Sequence, residues 1–498
     1  MNKFTLLINN ALKILFIIII LSSISYTSLY YKANLPLYTG LIFLGIWAAL
    51  GFLFFRMKRK TNFKVLFGSI LVVSLCLRIL WFLNIDSLPI SDFGIMFYSG
   101  GQFIQGKVEM FQGINYFARF PHSSLTVMYF GLIQYLFSDA LSMTRMINIG
   151  FSILNVILLY FISYQVFQDR HKSLGVMFIA SIFPPMIYYN NVFASENLAM
   201  PLFLLSVLFY LKAVKDKKIM LFICSGIFLS LTHLFRPIGY VVIVAYVLYG
   251  LIYYQNDIKA KLMALLSVLL SSILPLVLIS MVLVQMGITQ YPLWQGTEPL
   301  TVSVLKGTNI TSGGRWNIED ASVFERFNGD YEAVDAESKR LIKERFKETP
   351  PFEWFKFYIE KYVSQWCVGD FAGTYWAEAG RTDDETQIRF AQGIHSENKM
   401  IISMLSQGFL FNQIVWIFLL GLSFFGLFRK EVSNSRSIQL LYILFCGFAL
   451  FYLITESQSR YSYMASWLFP ILAITAFRGL KENNEAEAGD KPLERLNK

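Results

Sequence analysis

Residues 263–286 read MALLSVLLSSILPLVLISMVLVQM, a run without one charged side chain. At about 1.5 Å of rise per residue, such a run forms a helix long enough to cross the roughly 30 Å hydrocarbon core of a bilayer. Its apolar residues are continuous rather than alternating, so the period-two signature of a membrane barrel is missing. A helix is the remaining backbone that satisfies its own amide groups in lipid.

The rest of the chain repeats the signal. Of 498 residues, 55% are hydrophobic and 15% charged, with mean hydropathy +0.50, which excludes a water-soluble globule. Twelve spans are predicted, at 11–31, 36–55, 65–84, 146–167, 174–190, 198–212, 219–235, 238–255, 263–286, 403–428, 437–454 and 461–478. The expected fold class is an all-α polytopic membrane protein of about 12 transmembrane helices. The first block, 11–31, is long and lacks an Ala-x-Ala site, so it reads as an uncleaved span rather than a signal peptide.

The net charge of +10 does not point to nucleic acid, because Lys and Arg gather in short loops such as Arg56–Lys60. That is the positive-inside pattern. It predicts a cytoplasmic location for both termini and for loops 56–64, 168–173, 212–218, 258–261 and 429–436. Aromatic residues, 17% of the chain, flank many spans as interface anchors. The apolar segment Ser124–Phe137 is short; read as an interfacial helix it keeps Lys212–Lys218 inside, and read as a span it inverts every later loop.

Four parts follow: 1–286, a transmembrane module with an outer loop at 85–145; 287–402, a small mixed extracytoplasmic domain; 403–478, the C-terminal spans; and 479–498, a disordered cytoplasmic tail. Within the second part, Asp335–Phe346 and Glu353–Trp366 read as amphipathic helices split by Pro350-Pro351, and Gly307–Asp320 reads as loop. The aromatic run from Trp354 to Trp366 suggests a helix resting on the outer leaflet. Amide, hydroxyl and indole groups around Gly307–Asn317 suit sugar hydroxyls and ring faces. No internal repeat is visible. Cys76, Cys224 and Cys446 fall in spans and Cys367 in a polar region, too few for a disulfide framework.

Ionisable groups at membrane depth are costly, so those near the ends of spans are the first functional candidates. Arg78, Asp92, Glu196, Arg236, Glu456 and Arg460 all come out near the outer face, where arginine forks suit a phosphorylated substrate. The four histidines, His122, His171, His233 and His395, lack any zinc-ligand spacing.

Arg78-Ile-Leu-Trp, Ser91-Asp92-Phe93, Tyr98, Gly106 and Arg119-Phe-Pro121-His122 follow one another in an order that resembles the GT-C superfamily of membrane glycosyltransferases. That superfamily includes the dolichyl-phosphate-mannose protein mannosyltransferases and the aminoarabinose transferases. Arg145 with Asn148, Ser195-Glu196-Asn197, Arg236-Pro237 and Arg460-Tyr461 continue the likeness from about residue 65 to 478.

The resemblance implies an inverting transferase that takes a sugar from a polyprenyl-phosphate donor and passes it to a glycan, lipid or protein acceptor outside the cell membrane. Asp92 is the implied catalytic base; Arg78, Arg236 and Arg460 are the implied donor-phosphate ligands; Glu196, Tyr98, His122 and Tyr461 are implied substrate contacts. Family members with Asp-x-Asp at the second motif bind a divalent metal, whereas this chain has only Glu196 beside Asn190 and Asn191. Oxygen ligands for Mg²⁺ or Mn²⁺ reduce to Asp92, Glu196 and water, so no metal site is assigned. Two rival classes share parts of the pattern: a secondary transporter, which would place its acids at mid-membrane, and a ligase or polymerase acting on lipid-pyrophosphate glycans.

Overall fold

The computed structural model describes residues 3–31, 45, 51, 62–378 and 399–477. The predicted span at 36–55, the basic run Arg56–Lys60, His395 and the tail at 479–498 lie outside the described residues. Everything described is helix, turn or loop, with no strand among the described residues.

The chain belongs to the all-α class, and among the described residues six helices are long and apolar enough to cross a membrane: α1 (Lys3–Tyr31, its span ending at Leu29), α2 (Phe63–Asn84), and further on Ala140–Phe167, Glu196–Asp216, Ile258–Gln285 and Arg436–Ile454. Between α2 and the third of these come α3 (Ser91–Phe103) and α4 (Ser124–Leu136). These two pack against each other where Gly100 meets Gly131: a Cβ on Gly100 would stand 2.6 Å from the Gly131 backbone nitrogen. At 13 residues, α4 is too short to cross alone.

The next helix, α5 (Ala140–Phe167), starts on the carboxylate of Asp139, which accepts the Ser142 amide. After it, α6 (Arg170–Ile182) is capped by Asp169, which accepts the amides of His171 and Lys172. Phe183 then precedes Pro184-Pro185, and a residue before proline leaves the helical region; the predicted span 174–190 is therefore broken, with only a short helix, Pro184–Tyr188, beyond the break.

Next come α7 (Glu196–Asp216), α8 (Ile219–Phe235), α9 (Gly239–Tyr253) and α10 (Ile258–Gln285). Along α10 many apolar side chains, Leu262, Leu266 and Leu270 among them, are left uncovered by the bundle, as a lipid-facing flank would be.

The segment after α10 is helical rather than mixed: α11 (Leu300–Gly307), α12 (Ile318–Arg326), α13 (Tyr331–Glu348) and α14 (Pro351–Trp366). Val302, Leu305, Val323, Phe324 and Val334 form a small core of their own there. Pro351 takes the first position of α14, where a missing N–H costs nothing. On one face α14 turns Trp354, Phe357, Tyr362 and Trp366 inward and packs on α1 and on the last long span, while Phe352 and Phe355 stay exposed on the other.

The chain closes with α15 (Lys399–Gly426), α16 (Arg436–Ile454), a 3-10 stretch at Ser459–Ala465, and α17 (Leu468–Ile474). The single span predicted at 461–478 is thus a tight turn followed by a short, fully buried helix.

Candidate functional site

The ends of α2, α8 and α16 and the starts of α3, α7 and α9 meet at one end of the bundle. Basic side chains collect at the opposite end, where Lys172 donates to the Phe477 carbonyl, Lys215 to Gln168, and Arg429 to the Thr475 carbonyl.

Asp92 lies in the first turn of α3, where the helix dipole favours an acid. The residue before it, Ser91, is held at φ +50°, a left-handed conformation that a non-glycine residue adopts at a cost. Across the gap stands Arg460, whose Nη2 donates to Asp92 Oδ2 at 2.8 Å. The Asp92 side chain keeps 37% of its surface open while Arg460 keeps 6%. Rings enclose the guanidinium: its Cζ is 4.8 Å from the Trp376 centroid, 5.0 Å from Phe93 and 5.4 Å from Tyr461. Two nitrogens of Arg460, Nε and Nη1, are buried with no hydrogen-bond partner.

A second pair shares the Tyr461 ring, over which Arg236 sits at 4.9 Å. Arg236 Nη2 is 2.9 Å from Glu196 Oε1. The pair is in ionic contact but out of line for a hydrogen bond, so this buried oxygen remains unpartnered. Glu196 opens α7 directly after Ser195, and Asn197 donates to the Tyr189 and Val192 carbonyls, which holds the loop before α7 closed.

Tyr116 and His122 come from the chain between α3 and α4. Burial and then the charge of Asp92, together with a hydrogen bond to it, raise the Tyr116 hydroxyl well above the ordinary tyrosine value. Burial, followed by the nearby Arg236 and His233, pushes His122 down to about 3, so the imidazole is neutral near pH 7.

The Tyr461 hydroxyl lies 3.3 Å from Glu456 Oε1, and from there ionic contacts lead away from the pocket. Lys306 Nζ is 3.7 Å from both Glu456 and Glu298, and Arg119 joins Glu298 at 2.5 Å and Glu325 at 2.8 Å. Four positively charged groups, Arg119, Arg236, Arg460 and Lys306, are thereby interleaved with four buried or half-buried acids.

Asp92, His122, Glu196, Arg236, Arg460 and Tyr461 are therefore brought together. Two predicted site residues are not. Tyr98 is exposed and its ring packs edge-on against Phe97. Arg78 is wholly buried between helices: Nε donates to Ser152 Oγ at 2.8 Å, Nη1 to the Ser74 and Ser181 carbonyls and to Ser74 Oγ, and Nη2 to the Met186 carbonyl. With its donors spent on the open end of α6 and the turn beyond it, Arg78 serves the break at Pro184-Pro185 rather than a phosphate. Tyr116 belongs to the motif run that ends at His122, whereas sequence reasoning missed Trp376 and Lys306, each in a segment whose partner is far along the chain.

No three His, Cys, Asp or Glu side chains converge as metal ligands among the described residues. Asp92 and Glu196 each face an arginine, a donor set poorly matched to a divalent cation.

Residues 123–481 match the model of a family described as conserved hypothetical integral membrane protein, well over half of the chain. The chain belongs to this family. The integral membrane character agrees with the six helices long and apolar enough to cross a membrane among the described residues. The family match takes in Glu196, Arg236, Arg460 and Tyr461 and begins just after Asp92, Tyr116 and His122. No curated protein matches the chain.

Proposed function

We propose that the protein is an inverting glycosyltransferase that moves a sugar from a polyprenyl-phosphate donor to a glycan, lipid or protein acceptor on the extracytoplasmic face of a cell membrane. In this reading about twelve spans cross the bilayer, both termini are cytoplasmic, and the end of the bundle bearing Asp92 faces outward. The segment at 287–402 is then an extracytoplasmic domain.

The observation that carries the reading is the state of Arg460: one nitrogen on the Asp92 carboxylate, and two more buried beside it without a partner. A buried, unpaired donor on a guanidinium is costly unless an anion meets it. Arg236, 4.9 Å from the Tyr461 ring centroid, is the second cation within reach.

The chemistry follows from charge. An acceptor hydroxyl attacks the anomeric carbon and loses its proton to Asp92, and the bond from that carbon to the phosphate oxygen breaks with inversion. The donor phosphate, singly charged as a diester, leaves doubly charged as a monoester. Arg460 and Arg236 supply preorganised positive charge where that second charge develops. Aromatic walls from Phe93, Trp376 and Tyr461 keep water away and strengthen the interaction. The concentration of charge at one end of the bundle, rather than at mid-span, weighs against a secondary transporter.

The test is a donor panel. The purified protein in lipid nanodiscs is offered polyprenyl-monophosphate and polyprenyl-pyrophosphate sugars with a mixed glycan and lipid acceptor pool. Transfer from a monophosphate donor supports the reading. Transfer only from pyrophosphate donors moves the protein to the ligase class, and transfer from none removes the transferase reading.

A further inference from the structure

A groove of about 690 Å³ opens beside the candidate site, between the loop Glu109–Asn115 and the end of α10 with the turn that follows it. Its walls carry a carboxylate, Glu109, three carboxamides, Gln112, Asn115 and Gln290, and the hydroxyl of Thr289, with Val284 as the one apolar lining residue. The two walls clasp each other through amides: Gln112 Nε2 donates to the Gly287 carbonyl at 3.0 Å, and the Gly113 amide donates to Gln290 Oε1 at 2.8 Å. Gln112 thereby keeps its amide oxygen for another partner, whereas Gln290 Nε2 already donates to the Tyr291 hydroxyl at 3.4 Å.

Gly113 and Gly287 stand at φ +62° and +68°, and nothing lies within 4 Å of where a Cβ would be on either. The backbone on both walls is therefore bare and approachable. Thr289 is buried, yet its Oγ1 has no hydrogen-bond partner. A row of amide, carboxylate and hydroxyl groups, without a cation and with apolar surface between them, does not suit a phosphate. It suits a polyol, which offers neighbouring hydroxyls that donate and accept at once.

The groove also leads to the reacting end. Asn115 is followed by Tyr116, whose hydroxyl faces Asp92. On the other wall, the chain runs on to Gly296, which lies against the Arg119 backbone, and to Thr297, whose amide donates to the Ala118 carbonyl. We propose that this groove binds the carbohydrate chain of a glycan acceptor and directs its terminal hydroxyl toward Asp92. The inference rests on the transferase reading for its role and on the groove's own chemistry for its ligand class.

The experiment uses the full chain in nanodiscs with four neutral linear probes: maltohexaose, cellotetraose, chitotetraose and mannotetraose. Saturation-transfer NMR is recorded for the unaltered protein and for a Glu109→Ala, Thr289→Val double variant that leaves both clasps intact. At least one probe is expected to bind at millimolar concentration and to weaken about tenfold or more in the double variant, the effect of losing one or two hydrogen bonds. Binding by no probe, or binding indifferent to the double variant, overturns the proposal. If a donor assay succeeds and the double variant leaves the acceptor KM unmoved, the groove fails while the transferase reading stands. Binding that is lost in the double variant supports the groove even where no donor is turned over.

Discussion

Nη2 of Arg460 lies 2.8 Å from Oδ2 of Asp92, although 368 positions separate the two residues. The contact joins the start of α3 to the turn after α16 and closes one end of the helical bundle. It leaves Nε and Nη1 of the same guanidinium buried and unpaired, so one side chain can hold the base and meet an anion together. A lysine cannot do both. Arg460→Lys should lower kcat for sugar transfer about 100-fold, the usual effect of losing one preorganised donor to a developing charge, with little change in thermal unfolding. Steady-state kinetics beside a melting curve will check this.

The second pair behaves differently, because its acid, Glu196, is fully buried where Asp92 is half-open. Removing one partner strands the other charge, at a cost of about 3 kcal/mol or more. Glu196→Gln and Arg236→Gln should each lower the melting temperature strongly. The double variant should be less destabilised than the sum of the two, and a double-mutant cycle in detergent measures that coupling.

Arg78 offers a contrast between fold and chemistry. Its guanidinium is committed to Ser74, Ser152, Ser181 and Met186. Arg78→Gln should cost about 3 kcal/mol of stability yet leave the donor KM of the folded fraction unchanged. A raised donor KM would restore Arg78 to the phosphate site.

His122 gives a pH signature. Its folded value of about 3 lies below the ordinary 6.5, so between those values the unfolded chain binds the extra proton. The stability tied to the neutral imidazole is complete above about pH 6.5 and is lost progressively as pH falls toward 3. His122→Gln should flatten the melting-temperature profile across that window, measured against the unaltered protein.

Much of the fold was legible in the sequence because hydrophobic blocks and caps act locally. The helix predicted at 219–235 occurs at Ile219–Phe235, bounded by Lys218 and Arg236-Pro237. The failures come where a local signal conflicts with packing. Pro184-Pro185 interrupts the helix expected at 174–190, and the apolar block at 461–478 folds as a 3-10 stretch and a short buried helix rather than one continuous helix. One aromatic face of α14 likewise packs on protein, while Phe352 and Phe355 stay exposed.

At the site, Asp92, Arg236 and Arg460 could be ordered along the chain by their resemblance to a family. Nothing local tells that Arg78, equally charged and equally apolar in context, is spent on Ser152 and Ser181. The chain of contacts through Lys306, Glu298 and Arg119 is illegible for the same reason: its members are separated by loops of unrelated composition, and only the folded backbone brings them within 4 Å.

The most direct test of the account is Asp92→Asn, a change that keeps the size and the hydrogen-bonding reach of the side chain and removes its ability to take a proton. With insertion and melting temperature shown to be normal, transfer from a polyprenyl-phosphate sugar should fall by about 100-fold or more while the donor still binds. Turnover at the unaltered rate would contradict the account, because the carboxylate held by Arg460 would then have no part in the chemistry.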